Sequence, residues 1–246
     1  MCHGDDARPP EPPASGLLGP HGDVTITSAD GTEFMAYAAL PVQPGTTGIV
    51  ILPDIRGLHQ YYKDLADTFA RAGFSTVAFD YFGRTAGMGA RDETFVFRPH
   101  VEQTTPDTVD ADVTAAIDYL RSPAGGAATR IFTVGFCFGG STSWRQSASQ
   151  DGLAGAVGFY GQPGRARAYI GQMHAPLLLL VAGDDFTPLE EFQAFDEELT
   201  AASVPHAMIV YPGAPHSFFD RSFAAHREAC ADAWRQMLSF FETAPA

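Results

Sequence analysis

The stretch TVGFCFGGST, residues 133–142, sets a cysteine between two phenylalanines, with a glycine just before them and a glycine pair just after. A buried cysteine that only fills space needs no glycine on either side. A cysteine forced into a sharp turn does, because Gly135 and Gly139 let the backbone bend tightly and leave the central side chain exposed. The run RIFTVGF before it reads as a buried strand, and a helical pattern follows Gly139. The turn thus has a small-x-nucleophile-x-small form at a strand-to-helix handover, with Cys137 as the candidate nucleophile. The helix N-terminus behind it adds partial positive charge, which favours thiolate over thiol.

Outward from this turn, strand and helix patterns alternate. The candidate strands are DVTITS, EFMAYAAL, TGIVIL, STVAFD, RIFTVGF, GAVGFY, PLLLLVA and AMIVYP. The later ones are continuous apolar runs, as expected of strands covered on both faces. Helical patterns lie at 60–72, from Asp107 to Ser122, after Gly139, at LEEFQAFDEELTAA and near 222–241. The expectation is an α/β fold with a mostly parallel central sheet of about eight strands, helices on both faces and an antiparallel pair at its start. Residues 81–106 form a long irregular insertion of the kind that builds lids or pocket walls. Residues 1–22, rich in proline, read as an extended N-terminal arm, and 23–246 as one domain. Cys2 and His3 in the arm are metal-ligand types, but on a flexible end the ordinary reading is inert.

A thiol nucleophile needs a base, and the base needs an orienting group. In an open parallel sheet both should come from loops at the carboxyl ends of strands. His216, in YPGAPHSFF, lies just past the last strand; His206 precedes that strand, His174 precedes PLLLLVA, and His226 falls in the final helical pattern. The acid should follow PLLLLVA, where GDDFTP offers Asp184 and Asp185. Counting from the strand favours Asp185; counting back from Pro188 favours Asp184. The chain contains no asparagine, which excludes a Cys-His-Asn arrangement.

Composition bounds the partners. The 246 residues carry 15 Lys+Arg against 29 Asp+Glu, a formal charge of -14, which repels nucleic acid and anionic membrane surfaces. Three cysteines without a C-x-x-C pair encode neither a disulfide framework nor a thiolate metal site, and fit a reducing, cytoplasmic setting. The opening MCHGDDARPPEPPASG lacks the basic start and apolar run of a signal peptide, and LLLLVA is too short to span a bilayer.

At GFCFGG, GDDFTP and GAPHSF, in that order, the sequence resembles the dienelactone hydrolase family of α/β-hydrolases, from about residue 23 to the end. The resemblance implies Cys137 as nucleophile, His216 as base, Asp185 as orienting acid, and the N–H groups of Phe138 and Ile55 as an oxyanion hole. Asp54 stands where the family has a glutamate that manages the cysteine's proton; its structural reading is a carboxylate capping its own turn or pairing with Arg56. The family's substrate carries a carboxylate held by arginines. Of Arg84, Arg91, Arg98 and Arg221, the second pair lies nearest the family's positions. Tyr61, Tyr62, Phe95 and Phe97 are candidate pocket walls, or simply core. The implied activity opens a small lactone or ester through an acyl-enzyme, as carboxymethylenebutenolidase does in turning dienelactone into maleylacetate. No metal or cofactor is implied, the partner is the small-molecule substrate, and the state is a monomer or weak homodimer. Two further readings are a broader carboxylesterase or thioesterase, and a hydrolase-shaped binding or redox-sensing module without turnover.

Overall fold

The computed structural model describes residues 3–220 and 222–244. The readings placed on Cys2 and Arg221 therefore lie outside the described residues. Eight strands, β1 (Leu18–Thr27), β2 (Glu33–Pro41), β3 (Thr47–Leu52), β4 (Ser75–Phe79), β5 (Arg130–Phe136), β6 (Leu153–Phe159), β7 (Leu177–Asp184) and β8 (His206–Pro215), form one sheet ordered β1-β2-β4-β3-β5-β6-β7-β8. β1 and β2 pair antiparallel, β2 meets β4 antiparallel, and every later pairing is parallel. All eight strands expected from the apolar patterning are present, and the antiparallel pair opens the sheet.

The helices are α1 (Gln60–Arg71), the single turns α2 (Gly83–Ala86) and α3 (Arg98–Val101), α4 (Pro106–Arg121), α5 (Phe138–Ser149), α6 (Leu189–Ala201) and α7 (Arg227–Thr243). Two apolar layers sandwich the sheet. Leu65 and Phe69 of α1 and Trp234, Met237 and Phe241 of α7 meet the face that carries Ile49, Ile51, Phe132 and Val134. Val113, Ile117 and Leu120 of α4 and Phe192, Phe195 and Leu199 of α6 meet the face that carries Val50, Leu52 and Leu179. Alternate residues of β3 thus serve opposite layers, as the two-residue period of a strand demands. Among the described residues, no helix is long and apolar enough to cross a membrane.

β1 opens at Leu18, inside the proline-rich stretch, because an edge strand tolerates Pro20 and Gly22 where a central one would not. The arm ahead of it runs along the molecule: Trp234 Nε1–H donates to the Pro10 carbonyl at 3.0 Å, and the Arg8 N–H donates to Asp220 at 3.1 Å. Ala7 is 3% exposed.

The insertion after β4 is pinned at its root. Asp80, fully buried, accepts from Arg91 Nε at 3.1 Å and Nη2 at 2.9 Å, and from the N–H groups of Leu58 and Phe82 at 3.1 Å each. One carboxylate therefore ties this insertion to the loop after β3. Arg84, one of the candidate substrate arginines, instead pairs with Asp30 at 3.0 Å and with Asp112.

Candidate active site

β3 pairs with β4 on one side and β5 on the other, so chain order reverses there and the carboxyl ends of β3 and β5 open a crevice. Cys137 sits in it, directly after β5 and before α5, with φ 56° and ψ −114°. A non-glycine residue rarely adopts this backbone. Its neighbours explain how it is held. A Cβ on Gly135 would lie 1.9 Å from the Gly139 carbonyl oxygen, one on Gly139 2.0 Å from that of Leu52, and one on Gly140 2.4 Å from that of Phe159. The three glycines are where the turn closes on itself and where β3 and β6 press against it. The Cys137 N–H donates to the Phe159 carbonyl at 3.0 Å, and the half-buried side chain faces the crevice.

His216 follows β8, and Asp185 follows β7. His216 Nδ1 lies 2.8 Å from Asp185 Oδ2, with the Asp185 side chain 1% exposed and that of His216 15%. Nδ1 carries the proton in this geometry, which leaves Nε2 toward the sulfur of Cys137, to which His216 is also hydrogen-bonded. Burial pulls the imidazole's proton affinity down, but the bonds to Asp185 and Cys137 outweigh it and raise the pKa to about 9. A protonated imidazole beside the sulfur favours thiolate. The rings of Phe186 and Tyr160 flank His216, with centroids 4.4 and 4.8 Å away. Asp184 is the last residue of β7, in register with Pro215 and exposed to solvent, so the carboxylate brought to His216 is that of Asp185.

Ile55 follows β3 and Phe138 opens α5. Among the described residues neither backbone N–H is taken up by a turn, loop or side-chain hydrogen bond. Tyr81 braces both positions: its hydroxyl donates to the Pro53 carbonyl at 2.8 Å, and its ring stands edge-on to Phe138 at 5.2 Å. Asp54, 1% exposed, caps its own turn. Oδ1 accepts the Arg56 N–H at 2.8 Å, while Oδ2 lies 3.3 Å from both His59 Nε2 and the His3 N–H. Burial would raise this carboxyl, but the bond and charge of His59, helped by His3, hold it at about 2. The Arg56 guanidinium does not pair with Asp54; it reaches Asp5 at 2.6 Å and the His3 carbonyl at 2.8 Å.

Two hollows lie at this end of the sheet, one against Phe138 and one against Phe186. One, of about 100 Å³, is bordered by Phe138, Ser141, Thr142 and Arg165; the other, of about 450 Å³, by Gln162, Arg165, Phe186 and Thr187. Arg165 stands between them, its guanidinium 5.3 Å from the centre of the Phe138 ring and its Nε bonded to Gln162 at 3.1 Å. A larger hollow, about 600 Å³, lies beside Leu58, Lys63 and Met88 and borders none of Cys137, Phe138, Asp185 or His216. Arg98 is exposed on α3 above its neighbour Phe97 and lines neither of the two hollows that Arg165 borders. Tyr61 and Tyr62 are fully buried, and the ring of His3 stacks on Tyr61.

Sequence reading passed over Arg165 and Tyr160 and took His3 as inert. The first two follow β6 at the carboxyl edge of the sheet, a position that could have flagged them. For His3 no local signal exists, since its contacts lie 51 and 157 residues away.

A doubly wound sheet with a cysteine elbow, a histidine after the last strand and an acid after the one before defines the α/β-hydrolase class. A model of the dienelactone hydrolase family matches residues 34–244, and the chain belongs to that family. It is a hydrolase of the ester- and lactone-cleaving class. The chain is 29% identical to a Yersinia pestis protein named "Putative carboxymethylenebutenolidase", covering 89% of this chain and 87% of that one. It is 27% identical to a Bradyrhizobium protein named "Probable 2-oxo-3-(5-oxofuran-2-ylidene)propanoate lactonase", over 86% of this chain and 90% of that one. Among solved structures, the "Putative Dienelactone Hydrolase" of Klebsiella pneumoniae superposes with a TM-score of 0.81 at 26% identity, covering 93% of this chain and all of that one.

Proposed function

We propose that this chain is a cysteine-dependent hydrolase that opens a small lactone through an acyl-enzyme, with Cys137 as nucleophile, His216 as acid and base, and Asp185 as its orienting group. The observation that carries the reading is the continuous Asp185–His216–Cys137 hydrogen-bonded chain at the mouth of the crevice. The Cys137 thiolate attacks the ring carbonyl, and the Phe138 and Ile55 N–H groups meet the developing oxyanion. Collapse of that intermediate breaks the ring C–O bond; the departing oxygen takes the proton of His216 and stays tethered in the acyl group. Neutral His216 then accepts a proton from water, the hydroxide attacks the thioester carbonyl, and the carboxylic acid leaves as the thiolate and imidazolium re-form.

Asp54, held as an anion by His59 and its own turn, fixes the loop that presents Ile55. Arg165 stands beside the elbow, where Arg145 is already paired with Asp110, and supplies the place for a substrate carboxylate, in agreement with the keto-acid lactone named for the Bradyrhizobium relative. The exposed position of Arg98 favours a second reading, a broader carboxylesterase or thioesterase that needs no carboxylate on its substrate.

The test is a panel of cis- and trans-dienelactone with neutral aryl esters, run on the wild type and Cys137→Ala. Turnover should fall by at least about 10³-fold in the variant and be lost in step with iodoacetamide labelling of Cys137. Hydrolysis that survives the substitution excludes the acyl-enzyme, and labelling without any turnover to lose points to a sensing module. Preference for neutral esters, unmoved by Arg165→Ala, selects the second reading.

A further inference from the structure

The segment read as an inert arm enters the site. His3 is 1% exposed, and its ring stacks on that of Tyr61 with centroids 3.8 Å apart and planes 7° from parallel. Its Nε2 lies 3.0 Å from the Tyr160 hydroxyl, its N–H donates to Asp54 Oδ2 at 3.3 Å, and its carbonyl accepts from Arg56 at 2.8 Å. The contacts with Asp54 and Tyr160 lead to the reaction centre. Asp54 precedes Ile55 in the loop proposed to present an oxyanion donor. Tyr160, held at φ 37° immediately after β6, lays its ring against His216.

We propose that His3 is a positioning residue for the reaction, its bonds to Tyr160 and Asp54 setting the ring that backs His216 and the loop that carries Ile55. The proposal rests on the Cys137–His216 reading above. A packing role alone accounts poorly for this histidine. Its Nδ1 has no hydrogen-bond partner among the described residues, and a buried polar atom left so is costly, whereas phenylalanine would stack on Tyr61 without that cost. Burial, opposed by Asp54 and aided by His59, His216 and Arg56, lowers the His3 pKa to about 3, so the ring is neutral wherever the enzyme works and its contribution is geometric.

Three variants of the full chain separate the roles. His3→Phe keeps the stacking and loses the bond to Tyr160; His3→Gln keeps a bonding group and loses the stacking; Tyr160→Phe keeps the ring against His216 and loses the hydroxyl. Readouts are Tm, kcat and KM on the best ester or lactone, and the pH midpoint of iodoacetamide labelling of the Cys137 peptide, read by mass spectrometry. His3→Phe should melt within a few degrees of wild type yet lose about tenfold in kcat, as one mislaid hydrogen bond implies, with KM within about twofold and the labelling midpoint moved. His3→Gln should recover most of kcat. The His3→Phe/Tyr160→Phe double variant should be no worse than the poorer single one, because both remove the same bond. Unchanged kcat and midpoint in His3→Phe overturn the proposal; if that variant does not fold, the same result in Tyr160→Phe does. The labelling midpoint needs no substrate, so it reads the arm even where absence of wild-type turnover, or turnover surviving in Cys137→Ala, has removed the acyl-enzyme reading.

Discussion

His216 holds its proton to about pH 9 although burial alone would strip it, and Asp185 is one of the two partners that reverse the sign. The linkage follows. A histidine raised above its ordinary pKa of about 6.5 favours the folded state fully below that pH, and the contribution disappears as pH climbs through about 9. Wild-type Tm should therefore drop across this window, while Asp185→Asn, already deprived of the pairing, should lose less over the same range. The variant should also label at Cys137 several-fold more slowly at neutral pH, since less imidazolium faces the sulfur. Equal pH dependence of Tm in the two proteins would remove Asp185 as the cause. Two neighbouring aspartates stayed in competition along the chain, with Asp185 favoured by the count from the strand, because only the exit of β7 tells them apart. Asp184 completes the strand beside Pro215 with its side chain in solvent, and the next residue turns inward. Cys137 was legible for a local reason: its glycines are imposed by backbone atoms within a few ångströms.

Among the connecting segments, the insertion between β4 and α4 borders the crevice and is held at its root by a buried ion pair. Arg91, 3% exposed, donates a forked pair of hydrogen bonds to Asp80, wholly buried, which also accepts from the Leu58 and Phe82 N–H groups. Removing one partner leaves a buried charge alone, so Arg91→Ala should cost roughly 3–5 kcal/mol in denaturant unfolding. Arg91→Lys should restore only part, because an ammonium cannot span both carboxylate oxygens as the guanidinium does. A loss under about 1 kcal/mol would mean that water replaces the pair. Strands were read closely because burial on both faces writes them as apolar runs, and α4, read from Asp107, begins one residue earlier at Pro106, behind a capping box at Thr105. The final helix begins at Arg227 rather than near residue 222, with His226 at its N-cap. Residues 222–226 pack mostly outward, so their composition did not separate them from the helix that follows.

A formal charge of -14 on 246 residues makes self-repulsion a property of the entire surface. Screening should relieve it: between about 10 mM and about 0.3 M sodium chloride, Tm should rise by a few degrees, since the screening length shrinks from about 30 Å to under 10 Å. A falling Tm would show that exposed pairs such as Arg167–Glu198 outweigh the repulsion. Family, fold, the eight strands, and the placing of Cys137 at a strand-to-helix turn and of His216 after the last strand could be read along the chain, because hydrophobic period and turn sterics act over a few residues. The seating of His3 against Tyr160, the partners of Asp54, the place of Arg165 and the outward turn of Arg98 emerged only on folding. Those depend on which distant surfaces the packed sheet brings within hydrogen-bond reach, and a contact across 157 residues leaves no periodicity in the text that encodes it.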